Sequence, residues 1–502
     1  MGWLQQTLQQ GRPANTGQPR VIVDAAAWMR GGEQLAAGAG TMLGLWGEAD
    51  CVHLAVLQDG QIGILTLACP SGRFPSIGSK HPPALRLERA IRDLYGLEPE
   101  AAPDRRRWLD HGRWGVRYPL GSNEATRVDD DAYAFHAAEG PPMHQIPVGP
   151  VHAGIIEPGH FRFIANGETV VRLEERLGYV HKGIDALMTD ATLEHAARLA
   201  GRVSGDSTVA YALAFARAVE AALGLEPPPR AVWLRALMAE LERIANHFGD
   251  IGAICNDASF SLLHAHCGIL REYVLRAADS CFAHRLMMDR VLPGGVTAEL
   301  RPDGTTTLRS LIATIRQRFP ELIELYDRTA SLQDRTVTTG ILSSDLARQY
   351  GAGGFVGRAS GRAFDARKVP SYSPYPELRF DVPVRQAGDV DARIWVRIEE
   401  VRQSVSLIEQ ILEGLPEGSL RVASMQKNQR AGGEGWALVE GFRGDILVWL
   451  RLTPADTIAR CHLRDPSWLQ WPLLEAAIAG NIVADFPLCN KSFNCSYSGH
   501  DL

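Results

Sequence analysis

Three short stretches of the chain gather histidine and carboxylate side chains at spacings that could do chemistry. In GPVHAGIIEPGHFRF, His152, Glu157 and His160 lie on a segment rich in glycine and proline, where backbone freedom lets polar tips converge on a cavity. LGYVHKGIDAL adds His181, Lys182 and Asp185. ELERIANHFGDIGAICND spaces Glu240, Arg243 and His247 so that a helix would carry them on one face, and Asp257 closes the run. An imidazole titrates near neutral pH, so a His–carboxylate pair can give up a proton and be recharged. The plainer readings are a helix histidine satisfied by a neighbouring acid at His247 and a salt bridge on a solvated face for Glu240 and Arg243.

A fourth stretch, RVSGDSTVAY, has the spacing of a metal-binding loop, with Ser204 and Ser207 where ligands would stand and Asp206 between them. The chain has 8 cysteines, no two of which form a CxxC. Scattered cysteines read as small buried hydrophobes in a reducing compartment, with Cys489 and Cys495 near the end as the pair to weigh separately. There is no GxSxG nucleophile elbow and no HExxH zinc motif.

The elements that must position these residues follow from length and periodicity. A chain of 502 residues exceeds one compact core, so two or three domains are expected. Hydrophobic residues make up 45% and charged residues 22%, the balance of a folded globular protein. A net charge of −6 gives no support to nucleic-acid binding. No apolar run reaches the roughly 18 residues needed to span a bilayer, and the start MGWLQQTLQQGRP lacks the basic and apolar regions of a secretion signal, so a cytoplasmic chain is the default.

The fold class expected is α+β multidomain. CVHLAVLQD and IGILTLACP read as strands around an Asp-Gly turn, and ALRLERAIRDLYGL as a helix, giving a small α+β domain over 1–120. A polar stretch closing in Pro and Gly marks a linker over 121–147. From 148 to 502 a β-meander turning at Asn166 and Gly167 precedes helical periodicity over 192–223, 232–255, 262–292, 307–326 and 394–415, which a bundle would bury. The Gly-, Arg- and Pro-dense segment 351–380 is a long loop, and loops of that length are functional or ordered by something. Gly351 and Gly353 suggest a dinucleotide fingerprint, but its third glycine falls on Val356 and no strand precedes it, which argues against NAD. For Arg358, Asp365 and Arg367 the structural reading is a set of bidentate ties between this loop and the core.

At these residues the chain resembles a known family. LERAIRDLYGL, with Glu88, Arg89, Asp93, Tyr95 and Gly96, resembles the signature of the C-type component of respiratory complex I. GPVHAGIIEPGHFRF, RLEERLGYVHKGID, RVSGDSTVAY, ELERIANHFGDIG, GRASGRAFDAR and NKSFNCSYSGHDL resemble, in order, the D-type component of complex I and the large subunit of energy-converting [NiFe] hydrogenases of the formate hydrogenlyase and hydrogenase-4 component G type. The resemblance implies a fused C/D-type catalytic-core subunit: a complex I C-like α+β domain, then a domain like the [NiFe] hydrogenase large subunit and the D-type component.

In the hydrogenase branch four thiolates hold nickel and iron. By resemblance their places here are Ser204, Ser207, Cys495 and Ser498, and hydroxyls do not replace thiolates as ligands for these metals at neutral pH. The resemblance therefore implies an emptied cleft and no [NiFe] centre. In complex I the corresponding cleft receives a quinone headgroup, which implies His152 and His160 with Asp257 behind as the proton-handling set and Arg202 and Tyr211 as cleft contacts. It further implies iron–sulfur clusters in a partner subunit, other peripheral subunits, integral membrane ion-translocating subunits, and a peripheral position on the cytoplasmic side of the inner membrane. Two alternatives are a functional hydrogenase with unusual ligands and a redox-silent scaffold coupling peripheral and membrane modules.

Overall fold

The computed structural model describes residues 2–14, 17–121, 125–126, 133–140, 142–154, 156–423 and 433–502. The predicted hairpin forms between Cys51–Gln58 and Gln61–Ala68, in register from Cys51 opposite Ala68 to Gln58 opposite Gln61. Its two-residue turn places Asp59 and Gly60 at φ 51° and 77°, the left-handed pair whose twist matches that of the strands it joins. Thr41–Gly47 flanks it antiparallel and Arg20–Val23 runs parallel to Gln61–Ala68, with Arg12–Pro13 at the edge. Because side chains alternate across a sheet, each strand serves two cores. Leu54, Val56 and Leu65 pack with Trp28 under the helix Ala25–Ala36, while Trp46, Ala55 and Ile64 join the core of the helical part.

The helix Leu85–Tyr95 ends on Gly96 at φ 73°, a left-handed cap. Its signature acids are buried fasteners. Glu88 accepts from the backbone N–H groups of Ile77 and Gly78, and Asp93 from those of Trp108 and Leu109 at 2.7 Å each.

Of the predicted linker, 122–124, 127–132 and 141 lie outside the described residues. Its last part is not linker: Met143–Val148 is a strand, paired antiparallel with His160–Asn166, which turns at Gly167 into Thr169–Arg176. Gln145 and Ile146 face Ile164 and Phe163 across the ladder, so the apolar residues of MHQIPV belong to a sheet.

The helical periodicities form helices with shifted ends. The predicted helix over 192–223 is two, Leu193–Ala200 and Thr208–Leu223, because Gly201 to Ser207 leave the helical path and Thr208 Oγ1 bonds the Gly201 carbonyl at 2.8 Å. Pro229–Asp257 is continuous; Ser261–Phe282 stops at Ala283, φ 58°, well short of 292. Gly304–Arg328 and Val390–Gly414 follow. A three-stranded antiparallel sheet of Glu434–Gly441, Gly444–Leu452 and Ile458–Arg464, which the sequence patterning does not signal, lies on Thr208–Leu223. The alanine-rich face of that helix lets the backbones meet: a side chain on Gly435 would stand 2.2 Å from the Ala218 carbonyl.

The two parts share a core. Trp46 packs on Trp449 at 5.6 Å between ring centroids, Glu48 pairs with Arg451, and Arg464 Nε donates to the Leu43 carbonyl.

Candidate functional site

The loop between Leu193–Ala200 and Thr208–Leu223 carries Ser204, Asp206 and Ser207. Its main chain is held from two sides: Lys182 Nζ donates to the carbonyls of Arg202 and Val203, and Asn246 Nδ2 to that of Asp206 at 2.7 Å. Glu242 accepts from the free N–H groups of Val209 and Ala210 at the start of the helix, which fixes where the loop must enter.

The last residues of the chain approach this loop. Ser204 Oγ lies 3.0 Å from Ser496 Oγ and donates to Asp206 Oδ1 at 2.8 Å. The residue that crosses to Ser204 is thus Ser496, which also caps Tyr497–Asp501 by accepting from Gly499 N. Ser498 donates its N–H to Glu157 Oε2 at 3.0 Å, tying the glycine loop to the C-terminus. Cys495 is buried with Sγ 4.0 Å from Gln470 Oε1, and burial pushes its thiol well above the usual range. Cys489 lies beside Arg393, close enough to act on the Cys495 thiol, its own thiol likewise pushed up by burial, to about 11.

Between the two loops stands Arg443, which sequence reasoning missed. It projects from the turn joining Glu434–Gly441 to Gly444–Leu452 and closes on both oxygens of Asp206, with Nη1 at 2.7 Å from Oδ1 and 3.2 Å from Ser207 Oγ; its Nε donates to the Asn494 carbonyl. Burial would raise the Asp206 carboxyl, but the Arg443 charge and the hydrogen bonds from Arg443 and Ser204 hold it down at about 2. The turn is clamped. Gly354, at φ 59°, lies where a side chain would strike the Arg443 carbonyl, Gln470 Nε2 donates to that carbonyl, and Arg243 donates to the carbonyls of Glu440 and Gly441. The glycines of the 351–354 segment therefore serve a backbone contact.

Beneath the turn is a buried ionic network. Glu400 accepts from His247 Nε2 and Arg358 Nε, each at 2.8 Å; Arg358 also reaches Glu440; Arg367 bridges Asp365 and Glu240; and Tyr375 and Ser404 complete Glu240. His247 is thus a helix histidine paired with an acid through Nε2, its Nδ1 buried without a hydrogen-bond partner among the described residues, and Arg358, Asp365 and Arg367 tie their long loop to the core. Glu240 and Arg243 depart from the solvated reading: they are 0% and 1% exposed.

Other expected site residues scatter. His160 starts its strand, with Nδ1 3.2 Å from the Gly149 carbonyl and Nε2 accepting from Arg162 Nε, whereas Asp257 ends its helix in the field of Lys491 and His264. The expected His160–Asp257 pair is not assembled; Asp250, one helical stretch earlier, is the acid that meets the C-terminal loop, accepting from Asn494 Nδ2 and Arg397 Nε. Arg202 turns outward to an exposed bidentate pair with Asp289. Tyr211 is fully buried and donates to Asp465, behind the C-terminal loop. His152 is half-buried near Phe161 and Tyr497, with Nε2 enclosed and without a hydrogen-bond partner among the described residues, and burial lowers its pKa. His181 Nδ1 lies 2.7 Å from the Asp501 carbonyl.

Next to Pro150 and His181 opens a cavity of about 910 Å³ bordered by Arg107, Arg113, Arg176 and Tyr179. Arg176 is buried and hydrogen-bonded to main-chain carbonyls of Trp108 and Asp110. The cavity wall is strongly basic.

Residues 263–431 match the family model described as respiratory-chain NADH dehydrogenase, 49 Kd subunit, and residues 50–127 match that of the 30 Kd subunit. Formate hydrogenlyase subunit 5 of Escherichia coli (strain K12) is 32% identical over 438 residues, 85% of this chain and 77% of that protein. A D-type subunit of NADH-quinone oxidoreductase from Roseiflexus sp. (strain RS-1) is 33% identical over 352 residues, 68% of this chain and 94% of that one. Among solved structures, a chain of the membrane-bound sulfane sulfur reductase, an archaeal respiratory membrane complex, superposes with a TM-score of 0.67 at 25% identity, covering 72% of this chain and 99% of that chain. Among the described residues, no helix is long and apolar enough to cross a membrane.

Proposed function

The chain belongs to the family of catalytic-core subunits shared by respiratory-chain NADH dehydrogenase and formate hydrogenlyase-type hydrogenases, and we propose that it works there as a fused C/D-type core subunit whose cleft holds no nickel–iron centre and serves a quinone acceptor. The observation that carries this reading is the Arg443–Asp206 ion pair set against Ser204, Ser207 and Ser496. A [NiFe] centre needs four converging thiolates. At the corresponding places stand hydroxyls already hydrogen-bonded to one another and to Asp206, one cysteine turned toward Gln470, and a fixed cation. The residues do not fit that centre.

Electrons would reach the acceptor from iron–sulfur clusters of a partner subunit, with integral membrane subunits completing the assembly on the cytoplasmic side of the inner membrane. A quinone gains negative charge as it is reduced, and the guanidinium groups of Arg107, Arg113 and Arg176 around the neighbouring cavity would stabilise that charge. His152 stands on the loop that passes the cavity at Pro150; lowered by burial it is neutral at pH 7, so it would offer the acceptor a hydrogen bond while the protons of reduction come from solvent. A redox-silent scaffold is the second reading, favoured by one observation: His160 and Asp257 do not form the pair that would recharge such a donor.

The test is metal analysis and quinone-analogue photolabelling of the purified complex. Our reading expects no stoichiometric nickel, label on the His152 loop, and a loss of about tenfold or more in quinone reduction for His152→Ala. Stoichiometric nickel would restore the hydrogenase reading; a complex that neither labels nor reduces quinone would leave the scaffold.

A further inference from the structure

The tip of the Thr41–Gly47/Cys51–Gln58 hairpin assembles three side chains that the redox reading does not use. The hairpin closes with Glu48 N donating to the Cys51 carbonyl at 2.8 Å, which sets residue 48 opposite residue 51; Gly47 faces Val52, and Trp46 faces His53 two pairs further in. Alternation then puts Trp46, Glu48, Cys51 and His53 on one face of the sheet. His53 Nε2 lies 3.0 Å from Glu48 Oε1 and 3.6 Å from Cys51 Sγ, and one ligand atom from each residue falls within 4.8 Å of the others. Those separations are close to the edges of a tetrahedron whose centre lies roughly 2.0–2.3 Å from nitrogen, oxygen and sulfur.

We propose that Glu48, Cys51 and His53 form a binding site for a divalent transition-metal ion of the zinc class, three protein ligands leaving the fourth position to water. The shell around the ligands suits that role. His53 is fully buried and packs against both the Trp46 and Trp449 rings, each 5.2 Å away between centroids, which are themselves 5.6 Å apart. Its other nitrogen, Nδ1, is 2.9 Å from Thr66 Oγ1, an outer partner able to accept from Nδ1–H when Nε2 is presented to a metal. Cys51 is half-buried, which gives an ion a way in. Arg451 forks onto the Glu48 carboxylate and is itself 40% exposed, so it can orient the carboxylate or withdraw when a cation arrives. Without metal the Glu48 carboxylate lies between His53 Nε2 and the Arg451 guanidinium, with Cys51 beside them. A borderline-soft ion is selected by the thiolate and imidazole together; calcium and magnesium, which want oxygen ligands, are not.

The experiment uses the purified full chain, treated with chelator and titrated with Co²⁺. The expected result is one equivalent bound per chain, with a thiolate-to-cobalt charge-transfer band in the near ultraviolet and the visible bands of a tetrahedral ion, both bleached by Zn²⁺. Cys51→Ser should abolish the charge-transfer band while far-ultraviolet circular dichroism stays unchanged, and His53→Gln should weaken binding by at least the roughly 10–100-fold that loss of an outer partner alone costs. Cys69→Ser, in the same domain but outside the set, should leave the spectrum as it is. Absence of a charge-transfer band in the native chain, or a band that survives Cys51→Ser, would overturn the proposal, and neither result bears on the cleft at Ser204.

Discussion

Arg443 and Asp206 meet as a fork on a carboxylate, 237 positions apart in the chain, and the contact joins the hairpin turn to the serine loop. Replacing Arg443 by Met leaves the Asp206 charge partly enclosed, answered by hydrogen bonds from Ser204 and Ser207 and by the more distant charge of Lys491. Because the Asp206 side chain is 36% exposed, the loss should be about 2 kcal/mol rather than the value for a fully buried pair. The Asp206 carboxyl is lowered on folding, from 3.8 to about 2, so the stability it contributes is present above pH 4 and disappears as pH falls through about 2. Urea midpoints of the native chain and Arg443→Met should therefore differ at pH 6 and converge towards pH 2. A gap that stays constant would mean that Arg443 acts by packing alone.

Arg358 is the centre of the buried network, contacting Glu400, Glu440 and Asp365 with no solvent exposure. Arg358→Ala should cost on the order of 3–5 kcal/mol, since it strands buried carboxylates. Soluble yield and thermal unfolding check this, and Arg358→Lys should recover only part, having one charge but no fork. A variant that folds normally and is altered only in its response to quinone analogues would move Arg358 from the scaffold into the site.

Local chemistry was legible where it acts over a few residues. The Asp59–Gly60 hairpin could be read because it depends on the conformational preference of the residues at that point. Arg443 could not: it reaches the site from a turn between two strands, EGWALVEG and GDILVWLRL, that are buried on both faces and show no clean alternation, and its only signal was an Arg-Gly pair in VEGFRGDIL. Ser496 was overlooked for Ser498 because a two-residue difference in a capped turn decides which hydroxyl faces Ser204. The His160–Asp257 pairing failed for a different reason. Asp257 ends a helix of 29 residues, and the acid at the right height to meet the C-terminal loop is Asp250, two turns earlier.

Asp185 offers a pH test that depends on burial rather than pairing. Its Oδ1 is buried without a hydrogen-bond partner among the described residues, Arg460 stands 3.7 Å from Oδ2, and burial pushes the carboxyl up to about 7. A carboxyl raised on folding holds its proton longer in the native state, so it contributes stability below pH 4 that is lost as pH rises towards 7. Asp185→Asn keeps the shape and removes the proton equilibrium. Its stability relative to the native chain should rise between pH 4 and pH 8, by at most about 4 kcal/mol. Parallel pH profiles for the two proteins would show that Asp185 finds a partner in solution.

Gly499 makes the C-terminal loop sensitive to a single methyl group. A side chain there would stand 2.4 Å from Asp465 Oδ2 and 2.8 Å from Ser496 Oγ. Neither neighbour can move freely. Asp465 is held by the Tyr211 hydroxyl and by Ser467 N, while Ser496 is engaged with Ser204 and caps the terminal turn. Gly499→Ala must therefore shift the loop itself, at a cost of roughly 1–3 kcal/mol. Because the shift pulls Ser496 from Ser204, protection of the 202–208 amides from hydrogen exchange should fall together with that of 494–500. If only the C-terminal amides lose protection, the two loops are positioned independently and the hydroxyl contact between them is incidental.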